Sequence, residues 1–530
     1  MYRYSILILI FFVITACNSG SKSPTTGGTP SESIPSGPTY TVTGTITYAR
    51  VPITTGGLNY SGTLTRPVRN VKIQARNPSG NGLLANGTTD DSGNFTLKIP
   101  QSASTFYINV IAQMTSPNIT IEDNTNSNAI YLVQSNTYSN SGDQSLSNIH
   151  LPSGWTGSNA SGNYTGQRYS APFAILDTIY TGHKKLISAR PNLVIPALKV
   201  NWSPDNFASE DYNPNTGEIV TSHFDGEELY LLGQAGSDTD EYDRHVVVHE
   251  WGHFIEAYTS RSDSIGGQHG TGDRLHKSVA FGEGWGNALS AIVLDPEITY
   301  LDSYGPKQQT IGVSMDIEAG PNSNAGWFSE ASVQQILFDI YDSANEPHDT
   351  VALGIGPILD VLTGPQKTTP ALTSIFSFIH HLKSLNPSAA SSIDNLLTDK
   401  NISPIIDIYG TDENNDGNNQ YTLPIYNVLP INGSSVTVTM AGGSSQRVNS
   451  MNNTRFLRYT PTTSKTRLSV SCTGYCIFVI YRSGVELGAY STSSSGATTL
   501  SSIAGQEHVI LISTQTSTTN INATMSVQSI

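Results

Sequence analysis

Between positions 40 and 112 apolar and polar residues alternate in short runs. Thr41-Val42-Thr43-Gly44-Thr45-Ile46-Thr47-Tyr48 opens the series, and 67–75, 88–100 and 106–112 continue it. A period of two gives a strand one apolar face, and the Asp91-Ser92-Gly93-Asn94 turn supplies a reversal, so the pattern predicts a β-sandwich over 40–115. Residues 116–165 are rich in Asn, Ser, Thr and Gly and predict a linker, mainly loop. Helical spacing begins at Ala171, in Phe173-Ala174-Ile175-Leu176-Asp177-Thr178-Ile179-Tyr180, and a strand over 197–202 comes next. Two strongly apolar helices are expected around 246–258 and 281–293, then three more at 329–342, 370–384 and 388–399. From 431 to 530 the period of two returns, as in Ile477-Phe478-Val479-Ile480-Tyr481, and predicts a second β-sandwich.

The first apolar helix contains His249-Glu250-Trp251-Gly252-His253. Positions four apart share a helix face, so the imidazoles of His249 and His253 can grip one metal ion. Glu250 projects beside them, in reach of a water proton. No proline interrupts 246–258, and the residues between and beside the two histidines are uncharged apart from Glu250, where a solvated helix would scatter Lys and Glu. A catalytic zinc needs a third protein ligand and an open fourth position. The second apolar helix carries Glu283 in its first turn, a carboxylate that is costly there unless a cation or donor meets it.

This pattern, over roughly residues 215 to 345, resembles the gluzincin (thermolysin-like) branch of zinc peptidases. A metzincin site would need glycine at 256 and histidine at 259, where the chain has Glu256 and Thr259. The resemblance implies that His249, His253 and Glu283 hold Zn2+ and that Glu250 is the general base. It implies that Asn287 orients His249 in place of an aspartate, and that 222–233 is an edge strand pairing with extended substrate. Gly270-Thr271-Gly272-Asp273 resembles a fragment of the aspzincin GTxD motif, which makes Asp273 an alternative third ligand. A ligand belongs on a rigid packed helix rather than on a glycine loop, which favours Glu283. His269 and His276, in the same loop, are lesser rivals. The family's oxyanion-stabilising histidine has no counterpart, because Phe328 stands near its place. Tyr341, Tyr300 or His348 remain as donors, and Tyr341 is taken as the catalytic one. Glu330 reads as a charge at a helix N-terminus. The fold class implied is α+β: a two-lobed zincin catalytic domain over 166–430, flanked by two β-sandwich domains. The front sandwich is similar to the transthyretin-like, carboxypeptidase regulatory-like type, and the rear one to pre-peptidase C-terminal domains.

The formal net charge of −15, from 27 Lys and Arg against 42 Asp and Glu, argues against nucleic acid as a partner. Only 13% of residues are charged, which suits a secreted or surface β-rich protein. Arg3, the apolar run 6–14 and Thr15-Ala16-Cys17 predict a bacterial lipoprotein signal peptide over 1–16, too short to span a bilayer permanently. Cys17 would then be acylated and inserted in the lipid bilayer, with 17–39 as a Ser/Gly/Pro/Thr tether. Asn18 in place of aspartate favours the outer membrane or cell surface. Cys472 and Cys476 remain as an even pair, expected to be a disulfide in an oxidising compartment. Asp412, Asn414 and Asp416, ahead of Gly417, match the first half of a Ca2+ loop, but Leu423 stands where an EF-hand has glutamate. A looser calcium site and a plain turn both stay open. The expected protein is a lipid-anchored zinc endopeptidase acting on protein or peptide substrates. The alternative is a non-catalytic surface lipoprotein, for adhesion or host-protein binding, on a degenerate zincin scaffold; an intact Glu250 favours the enzyme.

Overall fold

The alternation at the start of the chain becomes one long strand, Thr39–Arg50, whose Val42, Ile46 and Tyr48 are buried. It pairs antiparallel with Leu64–Pro67 and Asn94–Pro100, and parallel with Gln144–Ser145 and Ile149–Leu151. The computed structural model describes residues 34–320, 322–343, 349–442, 447–514 and 518–530; the segment expected to be a signal peptide, Cys17 and His348 lie outside these residues.

A second sheet runs straight through the stretch whose composition predicts a linker. Its order is His223–Phe224, Leu229–Leu231, Leu198–Trp202, Asn118–Asp123, Thr105–Thr115, Val71–Arg76 and Leu83–Thr88. Asn118–Asp123 pairs antiparallel with Thr105–Thr115 and parallel with Leu198–Trp202. Ile119 and Ile121 are fully buried, but so short a strand in a polar stretch gives little periodic signal. The edge strand 223–224 is therefore hydrogen-bonded, strand by strand, to the front β-layers, and one hydrophobic core extends from Val42 through the helices to Leu511.

Within that core four helices pack in succession, each against the next: α1 (Ala171–Ala189), α2 (Arg244–Thr259), α3 (Lys277–Leu294) and α4 (Glu330–Tyr341). Every residue of α3 is buried. Its glycines permit this, because neighbours press against the backbone. A Cβ on Gly284 would lie 2.5 Å from the Val333 Cβ of α4, and one on Gly286 would lie 2.9 Å from His249 Nδ1 of α2. Of the later helices, Ile375–Leu385 and Ala390–Asp399 fall where helical spacing predicts them. Ile355–Thr363 has no counterpart among the predicted helices; it is short and bracketed by Gly354 and Gly364.

The last hundred residues form two sheets around a separate core. Tyr426–Val428, Thr454–Tyr459, His508–Ser513, Cys476–Arg482 and Val485–Thr492 make one; Val436–Met440, Ile521–Ser529, Lys465–Cys472 and Ser495–Ser501 make the other. Leu457, Phe478 and Ile510 from the first meet Met440, Val470 and Met525 from the second. Cys472 and Cys476 are disulfide-bonded. The chain is thus mixed α/β, with sheets predominating. Among the described residues no helix is long and apolar enough to cross a membrane.

Candidate metal centre

Helix α2 is buried along Val246, Val247, Val248, Trp251, Phe254 and Ile255, which fixes the direction in which its remaining face looks. That face carries His249 and His253 one turn apart, with Nε2 atoms 3.1 Å from each other. Glu283, from the first turns of α3, brings Oε2 to 3.3 Å from both nitrogens. The three donor atoms form a nearly equilateral triangle. Ligand atoms at tetrahedral angles around zinc, with bonds of about 2.0–2.1 Å, stand about 3.3 Å apart. Although the imidazole nitrogens come this near, none meets Glu283 Oε2 along a hydrogen-bond direction, and this buried oxygen has no directed donor. Three converging donors of this kind could hold a metal ion.

The supporting contacts present the right nitrogen. Asn287 Nδ2 donates to Gln334 Oε1 at 2.9 Å, which turns its oxygen to His249 Nδ1 at 2.8 Å. His249 therefore carries its proton on Nδ1 and offers the Nε2 lone pair to the triangle. Burial opposes a charged His253, but the Glu283, Glu250 and Glu256 carboxylates outweigh it and raise its pKa to about 9. Burial likewise opposes ionisation of Glu283, yet His253 and the other imidazoles hold its carboxyl well below the usual range. The side chains of His249 and Glu283 are 8% exposed and that of His253 19%.

Glu250 also lies at the half-buried side of α2, and its Oε2 accepts a hydrogen bond from Phe224 N–H of the edge strand at 3.0 Å. Tyr300 packs edge-on to His249, with ring centroids 6.1 Å apart, and burial followed by the Asp302 and Glu250 charges raises its pKa well above the ordinary value.

Other expected residues are elsewhere. Asp273 pairs with Arg447 at 2.5 Å and is not among the three converging donors. His276 caps α3, with Nδ1 accepting from Ser278 N–H. The Tyr341 hydroxyl donates to Asp295 Oδ2 at 2.7 Å and accepts from Lys185 Nζ. Asp295 comes just after the last turn of α3, about 18 Å along the helix from Glu283 at 1.5 Å per residue, so Tyr341 belongs to the far end of the helix pair. Its aromatic-plus-hydroxyl chemistry suits the role, but helix length removes it. In the loop 412–417 the organising side chain is Glu413, which accepts from the N–H groups of Ser403, Asn414 and Asn415. Asp412 and Asn414 are exposed, and Asp416 accepts from Asn418 N–H as in an ordinary turn.

One pairing escaped the sequence altogether. His269 Nε2 reaches Glu283 Oε2 at 3.1 Å, and its Nδ1 meets Glu330 Oε2 at 2.6 Å. Glu330 is at the first turn of α4, as expected of a helix-terminal charge, but it is buried and faces this imidazole. Burial works against the charged ring, and the Glu283 and Glu330 carboxylates prevail, raising His269 to about 11. The two partners are 61 residues apart, so no local pattern announces them.

A second acidic group lies nearby. Asp238, Asp240 and Asp302 each bring an oxygen within 4.8 Å of the others, and Asp243, just before α2, is buried beside them. Burial first, then their mutual repulsion, raises the pKa of Asp238 to about 7 and that of Asp240 well above the usual carboxylate range.

No protein-family model and no curated protein matches the chain. Among solved structures, part of the chain is similar to the pre-peptidase C-terminal domain of a collagenase from Bacillus anthracis. That match has 10% identity over 19% of this chain and 93% of the other, with a TM-score of 0.16. A 9R-lipoxygenase from Cyanothece matches 30% of this chain and 26% of its own, at 12% identity and a TM-score of 0.15. A carbohydrate-binding module, CBM36, in complex with calcium and xylotriose matches 19% of this chain and 90% of its own, at 12% identity and a TM-score of 0.13.

Proposed function

We propose that the chain is a zinc-dependent endopeptidase of gluzincin type, anchored through Cys17 to the bacterial cell envelope and hydrolysing protein or peptide substrates. What supports this most is the triangle of His249 Nε2, His253 Nε2 and Glu283 Oε2, with edges of 3.1–3.3 Å, set on two packed helices, with Glu250 following His249 on the first of them. The donor set fits zinc in kind, number and spacing. Zinc bound there would act as a Lewis acid toward the scissile carbonyl and lower the pKa of the water that attacks it. Glu250 takes a proton from the attacking water and returns it to the leaving amine. Phe224 N–H holds the Glu250 carboxylate in place through its 3.0 Å hydrogen bond. The edge strand 223–224, last in its sheet, has a side on which an extended peptide can add by main-chain hydrogen bonds. Tyr300, whose ring packs edge-on to His249, is a better candidate than Tyr341 for the donor to a developing oxyanion.

The test is zinc quantification on the mature chain, kept whole because the front sheet runs into the edge strand, together with peptide digestion by the parent and by Glu250→Gln. One zinc per chain, with turnover falling about 10²–10⁴-fold in the variant at unchanged zinc content, is expected. Bound zinc with no turnover in either protein overturns the enzyme in favour of a surface scaffold.

A further inference from the structure

Residues 260–276 join α2 to α3 as a loop with no helix or extended strand of its own. It contains Gly266, Gly267, Gly270 and Gly272, the first two at positive φ, so its backbone has wide conformational freedom. Yet the loop places His269 Nε2 3.1 Å from Glu283 Oε2. Glu330 of α4 supplies one side of this seat, 2.6 Å from His269 Nδ1. The other side comes from the rear sandwich.

Between its strands Val436–Met440 and Thr454–Tyr459, the sandwich lays the segment 447–453 along the loop. Arg447 Nη1 and Asn449 Nδ2 both donate to the carbonyl of Gln268, the residue before His269, at 3.1 and 3.0 Å. Arg447 also pairs with Asp273, further along the same loop. Asn449 is 3% exposed and grips at both ends, because its own carbonyl accepts from His276 N–H at 2.7 Å, where α3 begins. Met451 N–H donates to Arg274 O at 3.0 Å, and Leu275 pairs with Ser450 as an antiparallel bridge. The fit is close: a Cβ on Gly267 would lie 3.0 Å from Asn449 Nδ2. Since the sandwich packs an apolar core of its own, this polar strip is not what holds it together.

We propose that Arg447 and Asn449 are positioning residues of the metal centre, which seat His269 against Glu283 by holding the Gln268 carbonyl. The role rests on the zinc reading of the triangle. A ligating carboxylate keeps its orientation through the groups around it, and Glu283 Oε2 has no directed donor to do this. The His269 ring, fixed between Glu330 and Glu283, limits where that oxygen can go. The rear sandwich is thus part of the centre rather than an appendage to it. It is also synthesised last, so the centre reaches its full zinc affinity only once that domain has folded.

The experiment uses the whole mature protein, stripped of metals, with zinc affinity read by competition against a chromophoric chelator. The Arg447→Ala/Asn449→Ala protein should bind zinc about tenfold more weakly than the parent, and His269→Ala should lose at least as much. Added to His269→Ala, the two sandwich substitutions should change zinc affinity by less than about twofold, because the group they act through is gone. The visible spectrum of the Co2+ form, which follows ligand geometry, should shift alike in the two variants. Melts of the metal-free proteins check folding. Should the double variant not fold, Gly267→Ala, whose methyl group presses on Asn449, makes the same test from the loop side. Zinc affinity and a cobalt spectrum equal to the parent's overturn the coupling. So does a loss that persists in full in the His269→Ala background, which would make the sandwich a brace for the fold alone. A parent that binds no zinc at all overturns the metal reading itself, and this role with it.

Discussion

Replacing Gly286 by alanine puts a methyl group where the His249 ring lies. The new Cβ would be 2.9 Å from Nδ1, 3.0 Å from Cε1 and 3.1 Å from Cγ. Ordinary contacts of this kind are about 3.5 Å or more, so the ring must retreat by roughly half an ångström. A zinc site tolerates ligand displacements of about 0.2 Å. The ring cannot retreat freely, because Nδ1 is bonded to Asn287 at 2.8 Å and Asn287 to Gln334 at 2.9 Å. The substitution therefore separates two quantities. Alanine in a helix gains about 1 kcal/mol over glycine, against an overpacking cost of about 1–3 kcal/mol, so the metal-free fold changes little or loses modestly. Zinc affinity should fall by about 10–100-fold, or about 1.4–2.8 kcal/mol, the range seen when the partner that orients a ligand is lost. Competition against a chromophoric chelator measures the affinity, and a melt of the metal-free protein measures the fold. A Gly286→Ala protein that folds and binds zinc within twofold of the parent would refute the triangle as the zinc site.

Buried charges give two more expected outcomes. His269 bridges Glu330 and Glu283, so His269→Ala and Glu330→Gln should each destabilise by about 1.5–3 kcal/mol in denaturant titrations, with the double variant costing far less than the sum; additive losses would show that the pair is incidental. Lys277 is fully buried, with Nζ 4.0 Å from the Phe456 ring centroid and no hydrogen-bond partner, and burial lowers its pKa to about 7. The unfolded chain keeps that proton up to about pH 10.4 and the folded one releases it near 7, so this group makes stability rise with pH between the two. Relative to the parent, Lys277→Met should be stabilised most below pH 7, by an increment that shrinks by about 1.4 kcal/mol per pH unit from pH 7 toward pH 10; a pH-independent difference in melts would mean that the amine stays charged in the fold.

Elements whose physics is local were legible in the chain before any fold was known. Spacing four apart on an apolar helix put His249 and His253 on one face, and a carboxylate in an apolar first turn marked Glu283; both are read from a few adjacent residues. Alternation likewise announced the strands Thr39–Arg50 and Cys476–Arg482. Whatever depends on which distant segments meet came from packing in three dimensions. Packing put His269 against Glu330, Asp273 on Arg447 and Tyr341 at the wrong end of α3, and it carried Asn118–Asp123 into the sheet that ends at the edge strand. It also gathered Asp238, Asp240, Asp243 and Asp302, spread over 65 positions (238–302), into one buried group. Periodicity reports which face of an element is apolar, but the partner of a charge is chosen by packing, and packing has no signature in the neighbouring residues.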